Sequence, residues 1–180
     1  MTRLARLCRT VGVGLAATTA TLAMTQVANA KPAPPDVPAN LVPTAGQVFL
    51  VGHAKGVQIY TCNGTDWGKS VPRADLVDDA GNLIVKHSGG PTWTATADGS
   101  AVTGTVQASA PSPAGGPAIP WLLLSTIPKV GAPVGLLTDT KIIQRLETKG
   151  GTAPPTAECK AQTAGKVKEV PYKADYYFWK

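Results

Sequence analysis

The sequence predicts an all-β fold: a single compact β-sandwich or barrel-like domain of short antiparallel strands with Pro/Gly-rich loops and one disulfide. Three observations carry this. Glycine and proline are plentiful, 19 and 16 residues of 180, yet apolar runs of β type recur between them, the pattern of many short strands joined by tight turns. Those runs alternate or are apolar throughout over a few residues, and only one has helical spacing as well. Once an export signal is set aside, two cysteines remain, and two cysteines in an exported chain usually pair.

The first thirty residues read as a secretory signal. Arg3, Arg6 and Arg9 come without an acid, an uncharged stretch runs from Thr10 to Met24, and Ala28-Asn29-Ala30 supplies the small-x-small cleavage pattern. The apolar run is shorter than the roughly 20 residues of a membrane-spanning helix, so no transmembrane segment is expected. Cys8 precedes the apolar core instead of following it, and the arginines are not adjacent, which disfavours lipoprotein and twin-arginine signals. The expected compartment is secreted or extracellular, or periplasmic if the host envelope dictates it.

Residues 31–180 then bound the rest. A chain of this length suits one domain with a core of its own. Three of the 17 Lys+Arg lie in the signal, so the surplus over the 11 acids falls from +6 to +3. That is no nucleic-acid footprint. Cys62 and Cys159 are expected to form the disulfide, closing a loop of roughly 100 residues worth on the order of 4–5 kcal/mol in the chain-entropy model.

Taken in order, residues 31–40 are a proline-rich leader, expected to be extended. The β domain is expected over 41–180. Gln47–Val51 and Val57–Cys62 read as two strands, with Asn63-Gly64 as a tight hairpin turn and Trp67 starting the return. Arg73–Asp78 is a short strand, and 79–82 turn the chain into Leu83–Lys86. Thr92–Thr96 follows, then a turn at Asp98-Gly99 and an alternating strand at Ala101–Gln107 with Val102 and Val106 on one face. After the irregular stretch 110–120, Trp121–Ile127 is apolar throughout, as a strand buried on both faces would be. Asp139–Thr148 is ambiguous: Ile142, Ile143 and Leu146 fit a helix, but the strand-like neighbours and the terminating Gly150-Gly151 favour a strand. Val170–Trp179, rich in aromatics, reads as a terminal strand.

These landmarks resemble a secreted bacterial and fungal family, that of domain of unknown function 3455. The resemblance rests on residues 56–62 (Gly-Val-Gln-Ile-Tyr-Thr-Cys), 74–81, Gly90-Pro-Thr-Trp93 with Asp98-Gly-Ser100, 118–124, 143–151 with Ala153-Pro154, and 170–178. Together they span nearly all of 47–180 in the family's order. The resemblance implies an exported single-domain protein without an assigned activity. Some fungal members are labelled malate dehydrogenase. A nicotinamide-dependent dehydrogenase needs a βαβ unit with Gly-x-Gly-x-x-Gly at a helix start. Gly12-Val13-Gly14 lies in the signal and Gly89-Gly90 runs into Pro91, so that activity is not expected.

Other chemistry is thinly represented. No Gly-x-Ser-x-Gly elbow is present, and His53 and His87, the only histidines, are far apart in sequence. No metal-ligand spacing occurs, and no cofactor is expected. Four tryptophans are the remaining handle. Trp121, in an apolar run, reads as core. Trp93, beside Gly89-Gly90-Pro91 and near His87, reads as a loop aromatic, a common binding device. His87, Trp93 and Asp98 are therefore the candidate ligand-binding residues. The expected function is a non-catalytic secreted or envelope-associated protein, taking an extracellular glycan or cell-wall polymer as partner. The alternative is a small secreted hydrolase using His87 with a nearby acid.

Overall fold

The computed structural model describes Ala33 and residues 35–180. The export signal expected over residues 1–30 lies outside the described residues. Eight strands are seen among those described: β1 Val48–Thr61, β2 Val71–Val77, β3 Leu83–Ser88, β4 Thr92–Ala95, β5 Ala101–Ala110, β6 Trp121–Pro128, β7 Ile142–Gly150 and β8 Val167–Trp179. Each pairs antiparallel with its neighbours in sequence, and β8 pairs back onto β1, closing a barrel. The all-β expectation is met by this up-and-down barrel. Cys62 and Cys159 are bonded, with Cα atoms 5.4 Å apart.

The strand period of two assigns the inside of the barrel. Ala54, Ala74, Leu76, Val85, Trp93, Val102, Leu124, Ile143, Tyr172, Ala174, Tyr176 and Phe178 share one buried core. An eight-stranded barrel is just wide enough for side chains to fill it, so large rings here demand small residues opposite. β1 and its neighbours supply them. Gly56 pairs with Ala74 on one side and Tyr172 on the other. A Cβ on Gly56 would lie 2.1 Å from the Arg73 carbonyl oxygen.

This close approach explains one correction. Gln47–Val51 and Val57–Cys62 are one continuous strand, not two. Gly52 and Gly56 occupy inward positions where side-chain volume is excluded, Gly52 by Leu76, and the backbone does not turn at them. A second correction concerns Asn63-Gly64, which is no two-residue hairpin. The Asn63 side-chain oxygen accepts from the Thr65 and Asp66 amides at 2.8 and 2.9 Å, and β2 begins only at Val71. Trp67 is not in a strand. It packs with Tyr60 and the disulfide and donates from Nε1 to the Pro155 carbonyl at 3.1 Å.

A second apolar cluster lies outside the barrel wall. Leu41, Ala110, Trp121 and Leu146 form it, with Val37, Leu123 and Tyr177 packed against them. The end of the proline-rich leader thus belongs to the fold: after Pro38 a 3-10 turn at Ala39–Leu41 buries Leu41 completely. Gln144 ties this layer down, donating to the Leu41 carbonyl at 2.7 Å and accepting from Trp179 Nε1 at 2.9 Å. The leader therefore buries β6 and β7 on their outer face as well as their inner one.

Candidate functional site

Successive hairpins place their connections alternately at the two ends of the barrel. The β1–β2, β3–β4, β5–β6 and β7–β8 connections share one end, and the disulfide pins the first of these to the last. The other end is filled by Leu137, Ile143 and Phe178. At the disulfide end the filling stops short, leaving a cavity of about 180 Å³.

The cavity's aromatic side is built from neighbouring strands. His87 of β3 faces Trp93 of β4 across the ladder, with ring centroids 4.3 Å apart and planes 7° from parallel. Tyr176 of β8 meets both rings edge-on, at 5.3 and 5.8 Å. Trp93 fits because Gly104 of β5 has no side chain against its benzo edge. Val71, Pro72, Val106, Leu122 and Leu124 give apolar walls, and the β3–β4 turn contributes Gly90 and Pro91 to the rim.

Polar groups are few. His87 is 4% exposed. Its Nδ1–H donates to the Thr92 carbonyl at 2.9 Å. Burial, aided by the nearby Arg145 charge, pushes its pKa down to about 4 against the Thr92 bond, so the ring is neutral at pH 7 and Nε2 is left as an acceptor. Gln58 of β1 is 2% exposed; its Oε1 accepts from the Ser70 hydroxyl at 2.6 Å. Gln58 Nε2 and Trp93 Nε1 are buried with no hydrogen-bond partner. Arg145 of β7 lines the same space and donates from Nε and Nη2 to the Pro120 carbonyl at 3.2 and 2.9 Å. Burial pushes the Tyr172 and Tyr176 hydroxyls far above the ordinary tyrosine range, and Arg145 partly offsets this.

Of the three candidates read from sequence, the structure brings His87 and Trp93 together and separates Asp98 from them. Trp93 is not a loop aromatic. It sits in β4 and is 1% exposed, because strand alternation at His87↔Trp93 turns both rings inward. Asp98 lies in the β4–β5 connection at the opposite end. There its Oδ1 accepts from the Ser100 amide at 2.9 Å and its Oδ2 from the Leu136 amide at 2.7 Å. Hydrogen bonds from Ser100 and Leu136 hold its carboxyl below the usual range. It ties one loop to another.

Sequence reasoning missed Gln58, Ser70, Arg145 and Tyr176. The usable signal was parity: Gln58 and Arg145 occupy inward positions of their strands, where a long polar side chain is out of place. It also missed a cluster outside the barrel. His53 Nδ1 lies 2.8 Å from Asp175 and its Nε2 lies 2.9 Å from Asp79, and these two carboxylates raise its pKa. Among the described residues no group of three or more His, Cys, Asp or Glu converges to hold a metal, and no helix is long and apolar enough to cross a membrane.

No curated protein and no solved structure matches the chain. A family model does, over residues 43–180, which covers every strand of the barrel. The chain belongs to the family described as protein of unknown function (DUF3455).

Proposed function

We propose that this is a secreted, non-catalytic binding protein that receives a ligand of single-ring size, such as one sugar unit or a chain end of a wall polymer, in the mouth of the barrel. The carrying observation is the cavity over the His87–Trp93 stack: about 180 Å³, aromatic on one side, apolar on the walls, with unpaired polar atoms on Gln58 and Trp93. Ligand sites commonly combine apolar walls with a few placed polar groups, and drug-sized ligands need roughly 300–1,000 Å³. The smaller volume favours a compact ligand over a polymer laid across the protein. Export is supported by the signal layout of residues 1–30 and by the disulfide, which suits an oxidising compartment.

The hydrolase alternative finds less support. A His87 base would need an acid to orient it, and none of the described residues lining the cavity is acidic. Its Nδ1 is held by a neutral carbonyl instead. The test is a titration of isotope-labelled protein with single-ring sugars and other single-ring compounds, followed by NMR. Shifts at the Trp93 indole and the Gln58 side-chain amide are expected. Resonances that stay still throughout, or ester hydrolysis that vanishes in His87→Phe, would overturn the reading.

A further inference from the structure

We propose that the ligand of the barrel mouth is a small organic monoanion: a carboxylate on a compact apolar body, received by the Arg145 guanidinium with the Trp93 indole N–H and the Gln58 amide. The inference rests on the reading of the mouth as a binding site and names the class of molecule it takes.

Charge is the first argument. Among the described residues lining the cavity, Arg145 alone carries a fixed charge. Its field is felt by His87, Tyr172 and Tyr176. All three are neutral at pH 7, so none of them balances it. No carboxylate among the described residues lies within ion-pair distance of it, and its hydrogen bonds go to neutral partners, the Pro120 carbonyl and the Tyr176 hydroxyl. A guanidinium has five N–H donors arranged to meet a carboxylate in pairs. Arg145 is half-buried and shares the cavity lining with Leu122, Leu124 and Val106, so its charge has no counterpart there.

Unmet hydrogen bonding is the second, independent argument. Trp93 Nε1 can only donate. It is buried and donates to nothing. Gln58 has its oxygen occupied by Ser70 at 2.6 Å, which leaves Nε2, likewise buried and without a partner. Buried polar groups lacking partners are uncommon in native proteins. Here two of them belong to side chains of one cavity that also holds an unbalanced cation. A carboxylate offers two acceptor oxygens and the missing negative charge in one group. Water or a neutral carbonyl compound would satisfy the donors and leave the charge. A phosphate monoester, with close to two charges at pH 7, would exceed the single cation. The apolar walls and the volume of about 180 Å³ set the remainder of the ligand: one ring or a short branched chain.

The experiment titrates the disulfide-bonded protein with matched pairs, benzoate against benzamide and cyclohexanecarboxylate against its amide, reading affinity by calorimetry and site by NMR of the Trp93 indole. The acids are expected to bind about tenfold or more tightly than the amides. The Trp93 indole resonance should move with the acids. Arg145→Gln should erase the preference, and Arg145→Lys should restore part of it. Amides binding as well as acids, or an acid preference that survives Arg145→Gln, would overturn the anion class and leave a neutral-ligand site standing. Failure of all four compounds to move a mouth resonance would overturn the monoanion class, and the binding site itself falls only if the single-ring sugars also leave every mouth resonance still. The acid–amide comparison on the unaltered protein decides the matter even where an Arg145 variant does not fold.

Discussion

Gly104 lies against the benzo edge of Trp93: a Cβ at residue 104 would stand 2.8 Å from Cζ3 and 3.2 Å from Cη2 of the ring. The missing side chain on β5 is thus what allows the largest residue of the mouth to lie flat against His87. Gly104→Val should cost about 1–3 kcal/mol by overpacking. Trp93→Ala should cost about 3–5 kcal/mol by leaving a cavity. The two residues are coupled through one space, so Gly104→Ala should cost less in a Trp93→Phe background than in the unaltered protein. Urea denaturation of the four proteins measures this, and simple additivity would show that the ring can shift aside freely.

Stability should peak near pH 6.5, for opposite reasons on the two sides. His87 has its pKa lowered from 6.5 to about 4. The unfolded chain binds its proton more readily, so the stability it contributes is complete above pH 6.5 and is lost as the pH falls toward 4, on the order of 3 kcal/mol as an upper bound. His53 has its pKa raised by Asp175 and Asp79. Its contribution is present below 6.5 and is lost as the pH rises through the folded value; because the side chain is 41% exposed, that loss should be small. His87→Phe should flatten the acid limb and His53→Gln the alkaline limb of a melting-temperature profile. An acid limb unchanged in His87→Phe would assign the acid sensitivity to the carboxylates instead.

Reducing the Cys62–Cys159 bond should loosen the rim of the mouth. The bridge spans 97 residues and joins the β1–β2 connection to the β7–β8 connection. Its loss, by reductant or by Cys62→Ala with Cys159→Ala, is expected to cost about 4–5 kcal/mol in the chain-entropy model. Hydrogen exchange should speed up first around Trp67 and residues 156–163, where the 3-10 turns have no buried residues of their own. Uniform acceleration across all eight strands would show the bridge acting on global stability alone.

Three lysines stand side by side on the outer wall. Lys149 pairs with Lys173, and Lys173 pairs with Lys55. Like charges directly opposite on a sheet are unfavourable by a few tenths to about 1 kcal/mol. Lys173→Glu should therefore stabilise the barrel by an amount of that order. The gain should shrink in 0.5 M salt, because exposed charges are screened. A destabilised variant, or a gain indifferent to salt, would point to packing by the lysine stem.

The strands and turns were largely legible in the sequence, and the misreadings share physical causes. Ile142, Ile143 and Leu146 looked helical because β7 is covered on both faces: Ile143 points into the barrel and Leu146 under the leader. The leader's role was hidden because Val37 stands among prolines, and only the folded barrel gives it and Leu41, the first residue of the expected domain, something to cover. β1 was read as two strands because a sequence shows that the side chains of Gly52 and Gly56 are absent but not what fills their place. The mouth was half legible. The Gly89-Gly90-Pro91 turn marked the right end, and His87 and Trp93 do meet there. Gln58 and Arg145 arrive from strands remote in sequence, and only the closed register brings them alongside.

The continuous pairing of β8 back onto β1, reinforced where Gln47 and Lys180 exchange backbone bonds of 3.0 and 3.1 Å, leaves the barrel without a border strand. A strand's unpaired amides and carbonyls are the usual template on which another chain extends a sheet, whether a recognised peptide or a misfolding neighbour. This ring offers no such template along its main seam. An encounter with another molecule must then go through side chains or through the loops that crown either end, while the fold resists sheet-to-sheet polymerisation.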